Sequence, residues 1–210
     1  HVGRALRERG LPLLDMEPPP PELDKEEHAR FGFGLYSARY GNVYTARQLR
    51  QLAEQAFGER DPRPVIWARG ERYVDALRPN VEPEGFDSSV EVVNHRTWHL
   101  RKVRELLLTA DVFIFTLGLT EAWEHTASGT VYPTAPGTIA GDFDPQVFHF
   151  ANYGVADILD DFSALEQALA SINPDLKWLL TVSPVPLAAT ASGQHVLPAT
   201  ARSKATLRVV

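Results

Sequence analysis

The sequence predicts an α/β fold of three layers, with helices on both faces of a mostly parallel sheet. Three observations carry that expectation. Asp111 opens the run Val112 to Phe115, which stays apolar without alternating, as a strand buried on both faces of a parallel sheet does. Lys177 to Val182, KWLLTV, is a second short run of this kind, ended by Ser183-Pro184-Val185-Pro186, where proline has no N–H to give to a ladder. Around them helical and extended patterns alternate, and the helical stretch Val155 to Ile172 supplies the crossover that two adjacent parallel strands require.

The other elements follow from local signals. Val2 to Arg9 reads as a helix already under way when the chain begins, and Gly10 stops it. Leu11 to Met16 suits a short strand, and Pro18 to Pro21 a stiff extended connector. Phe31 to Asn42 mixes glycine, aromatic and polar residues as a loop does. Thr45 caps a helix from Ala46 to Phe57 with the apolar stripe Leu49, Leu52, Ala53 and Ala56, and Gly58 ends it. Val65 to Ala68 and Arg72 to Leu77 flank Gly70 as a small hairpin. Asp87 or Ser88 starts a long helix through Leu108 with Val92, Leu100, Val103, Leu106 and Leu107 inward. Ser128 to Asp144 is a long loop, of a length that usually serves function. Asn173-Pro174 stops the crossover helix, and Ala199 to Val210 is a final helix with no stop signal.

At 210 residues the chain fits one domain with one sizeable core. A net charge of -6 leaves no basic excess to neutralise phosphates, which argues against a nucleic-acid partner. Without cysteine there is no disulfide, thiol nucleophile or Cys-zinc site, and no reason to choose a compartment. No apolar run approaches the roughly 20 residues of a membrane span.

The segment Asp111 to Trp123, DVFIFTLGLTEAW, concentrates the chemistry. Ligands of open α/β sheets bind just beyond the carboxyl ends of the strands, and here that position holds Gly118, Thr120, Glu121 and Trp123. Thr120 or Glu121 equally suits the start of a capped helix. Glu121 and His125 then form an i, i+4 pair on its surface, and His125 is the internal proton carrier nearest the site. His95 and His99 have the spacing of a helical metal pair. They lack a third ligand, and Arg96, Arg101, Lys102 and Arg104 around them describe a solvated basic face, so no metal site is expected. His149, between Phe148 and Phe150, reads as a packed histidine, and His195 as an exposed loop residue. Ser37, Ser183 and Ser203 lie in no Gly-x-Ser-x-Gly elbow, so no nucleophile is assigned within residues 1–210.

Five segments in order, SARYGNVYTARQL from Ser37, RTWHLRKVRELL from Arg96, TLGLTEAW from Thr116, TVSPVPLAAT from Thr181 and SKATLR from Ser203, resemble the GSCFA family, a relative of the SGNH (GDSL-like) ester hydrolases. The resemblance implies a single SGNH-like α/β domain of flavodoxin-like strand order over 1–210, truncated at both ends. His1 then falls just past the Gly-Ser-Cys-Phe-Ala motif that names the family, and the Asp and His of an SGNH triad fall beyond Val210. It also implies an oxyanion site. Gly41 matches the glycine of the second SGNH loop with Asn42 beside it, and Gly118-Leu119-Thr120-Glu121 sits where the pattern has Gly-x-Asn-Asp. Thr120 replaces that Asn, so either its hydroxyl substitutes or Asn42 supplies the amide. The function implied is ester hydrolysis or acyl transfer on a small-molecule or carbohydrate ester, with no cofactor and with Tyr40, Trp67 or Trp123 available to stack on a sugar. The alternative is a non-catalytic α/β module that binds a ligand. A nucleotide-binding flavodoxin-like protein is a weaker reading, because no Gly-rich phosphate loop joins a strand to a helix.

Overall fold

The computed structural model describes residues 2–210; His1 and the side chains of Val2 and Arg4 lie outside the description. In chain order the elements are α1 (Val2–Glu8), α2 (Lys25–Arg30), α3 (Ala46–Ala56), β1 (Ile66–Arg69), β2 (Arg72–Asp75), α4 (Ser89–Thr109), β3 (Val112–Leu117), β4 (Glu121–His125), β5 (Val131–Tyr132), β6 (Phe148–Asn152), α5 (Val155–Ala170), β7 (Lys177–Val182) and α6 (Val196–Val209).

The chain is α/β, and the two apolar runs are adjacent parallel strands, with β3 paired to β7 from Val112↔Lys177 to Leu117↔Val182. The rest of the sheet structure is antiparallel. β1 and β2 form the hairpin around Gly70, and β4 lies between β5 and β6. The parallel pair is not buried on both faces as its composition predicts. Val112 is 51% exposed, Leu179 48% and Leu180 40%.

Helix starts match their caps. The Thr45 hydroxyl accepts from the Gln48 N–H, and the Gln48 side chain returns a bond from the Thr45 N–H. At α4 the Ser88 hydroxyl accepts from the Glu91 N–H, and the Glu91 carboxylate accepts from the Asp87 N–H. Leu49, Ala53 and Ala56 of α3 pack with Val103, Leu106 and Leu107 of α4, Phe115 and Leu117 of β3, and Ile158, Leu165 and Leu169 of α5. A smaller cluster joins Trp67, Val74, Tyr132 and Phe148.

Four local expectations are corrected. Leu11 to Met16 forms no strand, and its end is held by the Met16 N–H on the Ser37 carbonyl. Glu121 to His125 is a strand, not the start of a helix, because β6 arrives to pair with it from Glu121↔Asn152 to His125↔Phe148. The long loop after Ser128 contains β5, which completes that sheet. Arg96 and His99 do not belong to the solvated face of α4: His99 is 0% exposed and Arg96 6%, while Arg101 and Arg104 are exposed as expected.

Candidate functional site

Gly41 sits at φ +68, and a Cβ there would lie 3.3 Å from the Arg78 Cα, so both conformation and space select glycine. Gly41 and Asn42 line a cavity of about 230 Å³ together with Phe31, Tyr36, Arg39 and Val81. Among the described residues, the backbone N–H groups of Gly41 and Asn42 and the Asn42 carboxamide have no hydrogen-bond partner. The Asn42 carbonyl accepts from Gln48 Nε2 at 3.4 Å, which ties the loop to α3.

Beneath the loop lies a buried ionic frame that local sequence signals do not reveal. Glu17 accepts from the Arg39 N–H and from His99 Nδ1, at 3.0 and 3.1 Å to its two oxygens. Burial opposes the Glu17 charge, but the His99 bond and the nearby Arg78 outweigh it and hold the carboxyl at about 2. Arg78 donates to the Arg39 carbonyl at 3.0 Å and to Asp75 at 2.9 Å, and Arg96 meets the same carboxylate at 3.1 Å. Burial pushes the Asp75 carboxyl up, yet the two guanidinium groups keep it well below the usual range. The Arg39 side chain donates to the Phe31 and Val81 carbonyls and to Glu82. His95 stands between Arg78 and Arg39, with ring nitrogens 3.1 and 3.3 Å from them. Desolvation and then the Arg78 charge lower both His95 and His99 to about 4, so both rings are neutral near pH 7.

The Gly118 turn joins this loop through one oxygen. The Tyr44 carbonyl accepts from the N–H of Gly118 at 2.9 Å and of Leu119 at 3.3 Å. A Cβ on Gly118 would come within 3.0 Å of the Tyr44 ring and 3.2 Å of that carbonyl, so the two segments meet only because this residue is glycine. Lys204 Nζ donates to the Gly118 carbonyl at 2.5 Å, and the Thr120 N–H donates to Ser203 Oγ at 3.0 Å. The Thr120 hydroxyl donates to Asn152 Oδ1 at 2.8 Å. Glu121, 9% exposed, accepts from the Thr190 hydroxyl at 2.8 Å, and burial raises its pKa against that bond and the Arg202 charge.

The other histidines lie elsewhere. His125 occupies the far end of β4, about 13 Å along a strand from Glu121. Its Nδ1 pairs with Ser128 Oγ at 2.8 Å in the hairpin turn, and that hydroxyl also faces the Arg63 carbonyl at 2.6 Å. His195 is exposed and caps α6, accepting from the Leu197 N–H. His149 is not packed: its side chain is 50% exposed and lies 3.3 Å from Glu124, because its β6 position turns away from Phe148 and Phe150. Trp67 is 4% exposed against Tyr132, which leaves it no face for a sugar. Trp123 packs edge-on with Phe143 and Phe150. The Tyr40 ring stands edge-on to His99. Among the described residues no group of three His, Cys, Asp or Glu side chains is placed to hold a metal ion, and no helix is long and apolar enough to cross a membrane.

Sequence reasoning missed Asn152, Lys204 and the Glu17–His99 pair. SKATLR carried a signal for Lys204. Asn152 had none, because only the β4–β6 pairing brings it to Thr120.

Neither curated proteins nor solved structures gave a match. The model of the GSCFA family matches residues 1–210, and this chain, with its Gly41 loop latched to the Gly118 turn, belongs to that family.

Proposed function

We propose that the Gly41–Asn42 loop is the oxyanion-binding part of an SGNH-type ester hydrolase or acyltransferase that acts on an O-acyl group carried by a carbohydrate. One observation carries the reading: the backbone N–H groups of Gly41 and Asn42 and the Asn42 carboxamide engage no acceptor among the described residues, and both residues line a cavity of about 230 Å³. Donors fixed before reaction stabilise the negative oxygen that develops as an acyl carbonyl becomes tetrahedral, and they do so without reorganising. The frame of Glu17, Arg78 and His99 supplies that fixity by holding the backbone of Arg39, one turn from the donors.

Thr120 and Gly118 have a different part in this reading. The Thr120 hydroxyl and N–H and the Gly118 N–H are all engaged within the protein, so they hold the turn while Asn42 supplies the amide. The three-layer, flavodoxin-like strand order belongs to the same proposal, with the nucleophile and its base coming from outside residues 1–210. The test is turnover of a short-chain acyl ester by the full product of the gene. Asn42→Ala is expected to lower kcat about 10²–10³-fold with KM little changed, the usual cost of one oxyanion donor. Unchanged turnover in that variant would remove Asn42 from the site.

A non-catalytic binding module is the second reading. It keeps the same cavity and donors of the Gly41–Asn42 loop as ligand anchors, with no covalent step. A full-length product that binds ligand but turns over no ester establishes that reading.

A further inference from the structure

Glu121 and Asn152 face one another across β4 and β6, and the bond from the Tyr153 N–H to the Thr120 carbonyl, 2.9 Å, brackets them as a non-hydrogen-bonded pair. Side chains of such a pair rise on one face of the sheet with Cβ atoms about 4.5–5.5 Å apart. The two do not bond to each other. Each is instead tied on its outer side, Glu121 Oε1 by the Thr190 hydroxyl and Asn152 Oδ1 by the Thr120 hydroxyl, both at 2.8 Å. With the Thr120 hydroxyl donating to Oδ1, the carboxamide NH₂ points away from Thr120. Glu121 Oε2 and Asn152 Nδ2 are left on that face without hydrogen-bond partners among the described residues, with the Arg202 charge acting on the carboxylate.

We propose that Glu121 and Asn152 hold a hydroxyl group of a neutral saccharide, with the hydroxyl accepting from Asn152 Nδ2 and donating to Glu121 Oε2. Complementarity selects the class. An anion is repelled by the carboxylate. A cation leaves the amide without an acceptor. A hydroxyl satisfies both from a single atom, and the Thr190 and Ser192 hydroxyls, 2.8 Å apart on the covering loop, extend the polar surface to neighbouring hydroxyls of the same ligand.

The inference deepens the ester reading by naming where the alcohol part of the substrate lies, and it rests on that reading for its place in a reaction but not for binding. The experiment is an NMR titration of the protein with the methyl glycosides of glucose, galactose, mannose and xylose, following the Asn152 side-chain NH₂ resonances where Asn152 is present and the backbone amides of Ala122 and Tyr153 in wild type and both variants. At least one glycoside should bind in the millimolar range and move those resonances. Glu121→Gln keeps an oxygen for Thr190, and Asn152→Asp keeps one for Thr120, so both retain the local structure. Each should weaken binding about tenfold or more, as loss of a charge-assisted or donor bond does. No movement with any of the four up to ~100 mM, or equal binding by wild type and both variants, overturns the pair. Glycoside binding without ester turnover keeps the pair and sinks the ester reading. Ester turnover by a protein that binds none of the glycosides does the reverse.

Discussion

Glu17 shows how one side chain sets a loop 20 or more residues away. Its two oxygens gather the imidazole of His99 and the N–H of Arg39, and all three groups are out of water. Glu17→Ala removes the acceptor that both donors have among the described residues and leaves them buried. Such a loss costs about 3 kcal/mol or more, read as a shift of the urea midpoint. Glu17→Gln should recover part of this, because its carboxamide oxygen still accepts one bond. A stability loss below about 0.5 kcal/mol in Glu17→Ala would mean that water replaces the carboxylate freely. Gly41→Ala acts on the same loop by another route. The left-handed backbone at φ +68 and the Arg78 Cα at 3.3 Å both oppose a methyl group, for a cost of about 1–2 kcal/mol measured the same way.

Among the elements, α3 bears most directly on the site, since its capping box fixes the chain just after the Tyr44 carbonyl. Thr45→Ala should cost about 1 kcal/mol in thermal or urea unfolding, with a smaller change if water caps Gln48 as well. Thr45, Ser88 and the Asn173-Pro174 stop were legible because a cap and its helix are neighbours in sequence. The parallel pairing of β3 with β7 was legible too, since both are short apolar runs separated by one strong helix. β4 was not. Thr120 and Glu121 carry the composition of a helix start, and only the distant β6 turns them into a strand. The frame under Gly41 was hidden for the same reason: Glu17, Arg39, Asp75, Arg78 and His99 have no common period, and on α4 the two residues Arg96 and His99 look like surface charge until their partners arrive. In the site, Gly41 and Gly118 stood out in the sequence as turn and loop glycines, while their close approach to Arg78 and Tyr44 and the engagement of Thr120 by Asn152 needed the fold.

For the whole molecule, the buried histidines make stability depend on pH. An unfolded histidine binds its proton near pH 6.5, and His95 and His99 in the fold bind theirs near 4. Between those values the unfolded chain holds more protons, so stability is full above 6.5 and falls as pH drops towards 4. At about 1.4 kcal/mol per pH unit of difference for each ring, the two rings together set an upper bound of roughly 7 kcal/mol on the loss. Glu17, held at about 2 against its usual 4.5, adds a further loss as pH falls below 4.5. Urea midpoints measured from pH 7 to pH 4 test this, and a flat profile over that range contradicts it. The open parallel pair makes a second prediction. With Val112, Leu179 and Leu180 exposed beside unpaired strand edges, the chain should self-associate as concentration rises, and Leu180→Lys should reduce this in sedimentation or light scattering. Equal association in the variant would place the contact elsewhere.

The Tyr44 carbonyl accepts two amide protons, those of Gly118 and Leu119, and so works as a latch between segments that are more than 70 residues apart in sequence. A latch with one oxygen has a kinetic signature. Neither proton can meet solvent until that oxygen lets go, so the two amides should exchange with deuterium at one common opening free energy, and a substitution that loosens the Gly41 loop should speed both together. Exchange rates at two backbone positions would then report how often the Gly41 loop and the Gly118 turn come apart, with no ligand and no turnover required.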